Sequence, residues 1–292
     1  MRTISLVVGV LMLCGVQIAA PCTLIYSARG DARLAANNLD CSNVYPRVWF
    51  VPPSEDQYGR FCFGTDKQER IGEGGMNDQG LFIGVNALDE DTGWKPDPDL
   101  PDWEQWEGWY ESGVPDGILA KCATVDEALS VFKSYNLFTL GKVKFLIADR
   151  RGDSAIVEWS QGAIRVVRRG TSDHHVSTNF VTSDFSPEDV PCYRYRLADR
   201  LLSEHNGEAT VESLRGVLSG VHLEFQSPTI LSTICDLVTG DIHLYYFHDF
   251  ERAMTFNLAD ELAKGRHGFL LGDVFPVKSY VASVYEQYAQ IQ

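Results

Sequence analysis

Three short stretches in the middle of the chain do most to limit its fold. Lys144–Ala148, Ser154–Glu158 and Ala163–Val167 are strand-like, and Arg151-Gly152 and Gln161-Gly162 between them are residues that turn a backbone. This pattern predicts an antiparallel meander, whose apolar face must be covered by helices or by a second sheet. The rest of the chain offers both. Cys22–Ser27 and Arg33–Asn38 read as a strand pair turning at Gly30-Asp31. Phe61–Gly64 and Leu81–Asn86 read as further strands, the latter entered through the turn Asn77-Asp78-Gln79-Gly80, and Thr229–Asp236 and Asp241–His248 pair across Thr239-Gly240. Helical spacing marks Thr124–Tyr135, where Thr124 is a cap and Val125, Ala128, Leu129 and Phe132 share a face. It also marks Arg194–Leu202, Thr210–Leu218 and the short Asn257–Lys264, ended by Gly265. No linker, internal repeat or low-complexity segment interrupts this order, so residues 22–292 are expected to form one domain of packed sheets with helices outside.

The first 20 residues have a signal-peptide layout: Arg2, an apolar run from Ile4 to Cys14, and small residues at Ala19 and Ala20. The run is short for a membrane span, and no later stretch reaches the roughly 18 apolar residues a span requires. The expectation is an exported chain, periplasmic or extracellular, without a transmembrane segment after maturation and with Pro21 as a residue to be trimmed ahead of Cys22. A formal charge of -15, from 40 acidic and 25 basic side chains, argues against a nucleic-acid partner, which needs a basic face. Once Cys14 leaves with the signal, six of the seven cysteines remain, and no CxxC spacing suggests zinc or redox chemistry. An oxidising compartment allows pairing among Cys41, Cys62, Cys122, Cys192 and Cys235 with no connectivity fixed, and a free Cys22 leaves one of these unpaired. His174 and His175 would face opposite sides of a strand, and Asp97, Asp99 and Asp102 lack the glycine spacing of a calcium loop. Neither a metal nor a cofactor is expected. Between Asp89 and Gly113 the chain is acidic and carries Trp94, Trp103, Trp106 and Trp109. That segment reads either as a surface excursion or subunit contact, leaving an oligomer open, or as a lid over an apolar substrate pocket. Tyr245, Tyr246, Phe247 and Phe250 read as strand packing.

Cys22 is the residue with the most chemistry. A thiol attacks as its thiolate, and a free cysteine titrates at about 8.5. If Cys22 became the first residue, its own α-amine, with a pKa of about 8, would lie within reach of the sulfur and serve as base. Position alone leaves a disulfide half-cystine or a lipidated cysteine equally open. The flanking strings narrow the choice. Cys22-Thr23 with Asn37-Asn38-Leu39-Asp40, then Gly75-Met76-Asn77-Asp78-Gln79-Gly80-Leu81 and Val85-Asn86, resemble the choloylglycine hydrolase type of linear amide C–N hydrolase, an N-terminal nucleophile family. Ala148-Asp149-Arg150-Arg151-Gly152-Asp153-Ser154 through Glu158, Ser177-Thr178-Asn179 and Tyr193-Arg194-Tyr195 continue the resemblance, in order, over nearly all of the chain after Cys22.

The resemblance implies an α+β fold, a four-layer αββα sandwich with the nucleophile at the start of a strand. It implies that Cys22 attacks an amide carbonyl, that Asp40 orients the Cys22 amine, that Asn179 and Asn86 donate to the oxyanion, and that Arg194 steadies the thiolate. Asn37 and Asn38 are candidates for substrate or oxyanion support. The bile-salt hydrolases of this family carry an arginine where this chain has Asn37. The sequence is thus similar to the branch likened to acyl-CoA:6-aminopenicillanate acyltransferases, and bile-salt specificity is not implied. The substrate expected is a small amide with a hydrophobic portion, cleaved through a thioester. Acyl transfer to an amine, and an exported or lipid-anchored binding protein that kept the fold without the chemistry, are the alternatives.

Overall fold

The computed structural model describes residues 22–65, 67–69, 72–108, 113–225, 227–275 and 278–289. The expected signal sequence, Pro21 and Trp109 lie outside the described residues.

Strands β1 (Thr23–Ser27) and β2 (Leu34–Asp40) pair antiparallel around Gly30, whose φ of +67° suits a residue without a Cβ. Next come β3 (Arg47–Val51), β4 (Arg60–Gly64), β5 (Gly74–Asn77) and β6 (Leu81–Ala87), then helices α1 (Val114–Lys121) and α2 (Val125–Ser134). The meander follows as β7 (Val143–Asp149), β8 (Ser154–Ser160) and β9 (Ala163–Arg168). After β10 (His174–Ser177) the chain forms α3 (Tyr193–Glu204) and α4 (Val211–Val221), then β11 (Thr229–Asp236) and β12 (Asp241–Tyr246). It closes with β13 (Met254–Asn257), α5 (Leu258–Leu262), β14 (His267–Leu270), α6 (Leu271–Val274) and α7 (Tyr280–Ala289). A six-stranded sheet runs β10-β1-β2-β11-β12-β13, and an eight-stranded sheet runs β14-β3-β4-β5-β6-β7-β8-β9.

Alternation along the strands builds the layers. On β1, Leu24 and Tyr26 face the space between the sheets with Phe50, Phe61, Phe63 and Phe82. Ile25 faces the other way, toward Ala36 and the α4 residues Leu214 and Leu218. Each fully buried aromatic or aliphatic side chain of this kind contributes about 1.5–3 kcal/mol. A separate apolar cluster joins Ile83, Phe145 and Ile147 of the eight-stranded sheet to Ile118, Leu119, Val125, Leu129 and Phe132 of α1 and α2. The result is the αββα sandwich. No helix among the described residues is long and apolar enough to cross a membrane.

Two local features fix the layers against one another. Where β1 crosses β6, a Cβ on Gly84 would lie 2.5 Å from Leu24 Cδ2, so only glycine permits this approach. Arg60 on β4 grips Asp116 at the start of α1 with two bonds, Nε to Oδ1 at 2.6 Å and Nη2 to Oδ2 at 3.0 Å, both side chains buried.

Of the two readings of the tryptophan segment, a surface excursion or a lid, the described tryptophans Trp94, Trp103 and Trp106 do not take the place of a lid over Cys22. Trp103 and Trp106 are buried against Tyr135 in the cluster shared with α1 and α2, on the far side of the eight-stranded sheet from the inter-sheet core that holds Cys22. Trp94 packs edge-on against Trp159 of β8 in that same outer cluster. Large apolar area buried under helices explains these residues. All six described cysteines are free thiols, so none of the pairings left open by the sequence is made. His174 and His175 do face opposite ways: His174 Nε2 meets Asp199 of α3 at 3.0 Å, and His175 Nδ1 meets Ser154 Oγ at 3.0 Å. Among the described residues no cluster of three or more metal-ligating side chains occurs.

Candidate active site

Cys22 leads into β1 at one end of the sandwich, buried at 3% exposure between the sheets. Antiparallel pairing of β2 and β10 with β1, sheet stacking for β6 and helix packing for α3 bring four other elements to the same place. β2 ends there at Asp40, β10 ends at Ser177 and continues through Thr178 to Asn179, and β6 carries Asn86 across the sheet interface. Arg194 stands in the first turn of α3.

These residues form one connected network. Asn86 Nδ2 and Arg194 Nη1 both donate to the Cys22 carbonyl oxygen, at 3.1 and 2.8 Å. Ser177 Oγ donates to Asn86 Oδ1 at 2.6 Å and so fixes which end of that amide points at Cys22. Arg194 Nη1 also donates to Thr23 Oγ1 at 2.9 Å, and its Nη2 to Asn179 Oδ1 at 2.8 Å. Asn179 Nδ2 in turn donates to Ala87 O at 2.7 Å. The guanidinium thus joins the start of β1 to Asn179, two residues beyond the end of β10. The five residues named from the resemblance, Cys22, Asp40, Asn86, Asn179 and Arg194, are brought together. In this arrangement the Asn86 amide donates to the Cys22 carbonyl and the Asn179 amide to the Ala87 carbonyl.

Asp40 is fully buried. Its Oδ1 accepts the Thr229 hydroxyl, while Oδ2 has no hydrogen-bond partner among the described residues and lies 3.8 Å from Arg194 Nη1. Burial pushes the Asp40 carboxyl up to about 8, against the pull of Thr229 and Arg194. The Cys22 thiol is pushed well above its ordinary value, by burial first, then by the charges of Asp40 and Glu73; the Asp40 backbone and Arg194 act in the opposite sense.

The two candidate supports differ. Asn37 and Asn38 are adjacent on β2, so they face opposite sides. Asn38 turns to the helical layer: its Nδ2 donates to Leu218 O of α4 at 2.9 Å and its Oδ1 accepts Ser232 Oγ at 2.7 Å. Both polar ends are spent on tying β2 to α4 and β11, so Asn38 is an internal brace and not a group that meets substrate. Asn37 turns inward beside Leu24 and Thr233, and its Nδ2 is buried with no partner among the described residues.

Two residues with a stake in the site went unread in the sequence. Glu73, held by the Thr65 hydroxyl at 2.8 Å, sets a second carboxyl within electrostatic reach of the Cys22 sulfur. Lys144, opposite Asn86 in the β6–β7 register, is fully buried and donates to Phe180 O just beyond Asn179. Neither carries a local signal, since each depends on strands distant in sequence. Beside Asn179 opens a cavity of about 300 Å³ lined by Leu88, Phe180, Val181 and Phe185 together with Asp89, Glu90 and Asp184.

Two stacked antiparallel sheets between helices, in this strand order, make the choloylglycine hydrolase-like N-terminal nucleophile hydrolase fold that the solved structures below share. This is a fold of amide hydrolases and acyltransferases. Residues 117–260 match the family model described as acyl-coenzyme A:6-aminopenicillanic acid acyl-transferase. Among solved structures, a mutant of the conjugated bile acid hydrolase from Clostridium perfringens superposes with a TM-score of 0.67 at 13% identity, covering 89% of this chain and 99% of that one. Penicillin V acylase from Agrobacterium tumefaciens gives 0.60 at 18% identity, over 82% of this chain and 87% of the other. The Caenorhabditis elegans ortholog of N-acylethanolamine-hydrolyzing acid amidase gives 0.54 at 17%, over 85% and 99%. No curated protein matches the chain by sequence.

Proposed function

We propose that the mature chain is an exported amidohydrolase that begins at Cys22 and cleaves the linear amide C–N bond of a small acylated substrate with a hydrophobic portion. The observation that carries this reading is Asp40 Oδ2: a fully buried carboxylate oxygen without a hydrogen-bond partner among the described residues, within electrostatic reach of the Cys22 sulfur. A buried carboxylate oxygen that accepts no hydrogen bond is costly; Arg194 Nη1 stands 3.8 Å from it without donating, and an ammonium freed at Cys22 would supply the missing donor. Removal of residues 1–21 creates that group. In its charged form it would draw the Asp40 carboxyl down from about 8, and in its neutral form it is the amine base beside the sulfur.

In the reaction the Cys22 sulfur attacks the substrate carbonyl carbon while its proton passes to the α-amine. Asn86 and Asn179 offer amide N–H groups to the developing oxyanion, and Arg194 steadies its charge. The α-ammonium then protonates the leaving nitrogen, the C–N bond breaks, and an S-acyl thioester remains. Water adds to the thioester, giving up a proton to the amine, and the carboxylic acid departs as the thiol is restored. The apolar walls beside Asn179 suit the hydrophobic part of such a substrate.

The family match over residues 117–260 favours a second reading, in which an amine in place of water resolves the thioester. Product analysis with 6-aminopenicillanic acid as a competing amine separates the two: its acylated product forming with saturation at the expense of free acid marks transfer, and free acid alone marks hydrolysis. The reading itself is tested with a panel of 4-nitroanilides of straight-chain and phenyl-substituted acids. Cys22→Ala should lose all 4-nitroaniline release while keeping the wild-type circular dichroism and melting temperature. Turnover at the wild-type rate in that variant would sink the proposal.

A further inference from the structure

Behind the site lies a buried ion pair that the chemistry above does not use. Lys144 and Glu158, on adjacent strands β7 and β8, are both wholly buried, with Nζ 3.6 Å from Oε2. Their remaining bonding capacity is directed at one loop, the segment that follows Asn179. Lys144 Nζ donates to Phe180 O at 2.5 Å and to Thr182 Oγ1 at 2.6 Å, and lies 4.8 Å from the centre of the Phe180 ring. Glu158 accepts the Thr182 N–H at 2.9 Å and the Ser183 N–H at 2.6 Å. The loop comes from the six-stranded sheet, whereas the pair belongs to the eight-stranded sheet, so the contact spans the interface at the catalytic end. Phe180, pinned through its carbonyl, packs edge-on against Tyr195, the neighbour of Arg194 on α3.

We propose that Lys144, with Glu158, is a positioning residue for the amide-cleaving reaction: it fixes the peptide after Asn179 and thereby holds the Asn179 amide and Arg194 against Cys22. This inference rests on the amidohydrolase reading. A buried pair replaced by apolar or neutral groups of similar volume is often neutral for stability, yet breaking it from one side is destabilising. That asymmetry supplies the test. Stability accounts for the pair only if removing both charges together leaves activity untouched. A positioning role needs the ammonium itself, because the bonds to Phe180 O and Thr182 vanish with it.

The test compares wild type, Lys144→Met/Glu158→Gln, Thr182→Val and Asn179→Ala, using the 4-nitroanilide found to be turned over. The double variant should melt near wild type with KM little changed while kcat falls about 10- to 100-fold, the scale of a small misplacement of catalytic groups. Thr182→Val, on a loop at the surface, removes one of the ammonium's bonds without risk to the core and should lower kcat about 2- to 10-fold. Added to Asn179→Ala, either change should cause little further loss, because both act through the same amide. Wild-type kcat in both Lys144→Met/Glu158→Gln and Thr182→Val, or losses that multiply with that of Asn179→Ala, would overturn the role of Lys144. Should the double variant fail to fold, Thr182→Val and its combination with Asn179→Ala decide the question alone. The underlying reading is checked separately: absence of Cys22-dependent 4-nitroaniline release in the wild type removes the reaction itself, whereas normal release with wild-type kcat in both variants removes only the positioning role.

Discussion

At the scale of single residues, the site is organised by what a guanidinium can do that an ammonium cannot. Arg194 reaches Cys22 O and Thr23 Oγ1 through one nitrogen and Asn179 Oδ1 through another. A planar fork makes these bonds at once, and a point charge on a flexible stem does not. Arg194→Lys should therefore keep the positive charge yet lower kcat/KM by about 100-fold, measured on the 4-nitroanilide panel, with the fold unchanged; equal activity in that variant would mean that charge alone matters. Cys22, Asp40, Asn86, Asn179 and Arg194 were legible because each lies in a string with recognisable neighbours. The two adjacent asparagines of β2 show the limit. Sequence gives both the same standing, and only the strand's alternation assigns Asn37 to the interior and Asn38 to a brace on α4. Glu73 and Lys144 have no string at all, and their relation to Cys22 is created by sheet pairing and stacking.

At the scale of elements, strands with apolar alternation and helices with a threonine cap were readable, and those shaped by close packing were not. The meander β7–β9 and the hairpin β11–β12 appear where turn residues separate periodic runs, and Thr124 caps α2 by accepting the Glu127 N–H. β5 escaped because Gly74 and Gly75 weaken any strand signal; a Cβ on Gly75 would fall 2.0 Å from Phe61 O, so its glycine is set by the neighbouring strand. α1 escaped because Pro115 and Gly117 argue against a helix, although proline is tolerated in the first turn and Gly117 sits against Trp106 and the Gly108 carbonyl. The same reasoning makes Gly84 a test of how β6 supports β1. Gly84→Val forces Leu24 aside, and overpacking of this kind costs about 1–3 kcal/mol. Urea unfolding should show that loss, and kcat should fall with it, since Cys22 lies two residues from Leu24. A stable variant with normal turnover would show that the sheets can part locally without moving the sulfur.

Across the whole molecule, the layers decide which residues can meet. Composition leaves the clustered tryptophans open between a surface excursion and a lid, and in the fold Trp103 and Trp106 are consumed in seating α1 and α2 on the outer face of the eight-stranded sheet. Stacking also buries His175 between the sheets beside Ser154. Burial, then the charges of Lys144, Arg169 and His174, push its pKa down to about 3. Unfolded, a histidine titrates near 6.5, so between about pH 6.5 and 3 the unfolded chain binds a proton that the folded chain refuses. The contribution of His175 is therefore complete above about pH 6.5 and is lost as the pH falls, by up to about 1.4 kcal/mol per pH unit. Urea midpoints measured across that range should decline less steeply in His175→Gln than in wild type; parallel curves would place the acid sensitivity elsewhere. Everything proposed about catalysis depends on a sulfur and a free amine sharing residue 22. The most direct measurement is the intact mass of the purified active protein, taken before and immediately after mixing with a reactive 4-nitroanilide, with peptide mapping of the adduct. A chain starting at Cys22 that gains one acyl group on that residue is the expected result, and an active chain that still carries residues ahead of Cys22, or an adduct on any other side chain, would contradict it.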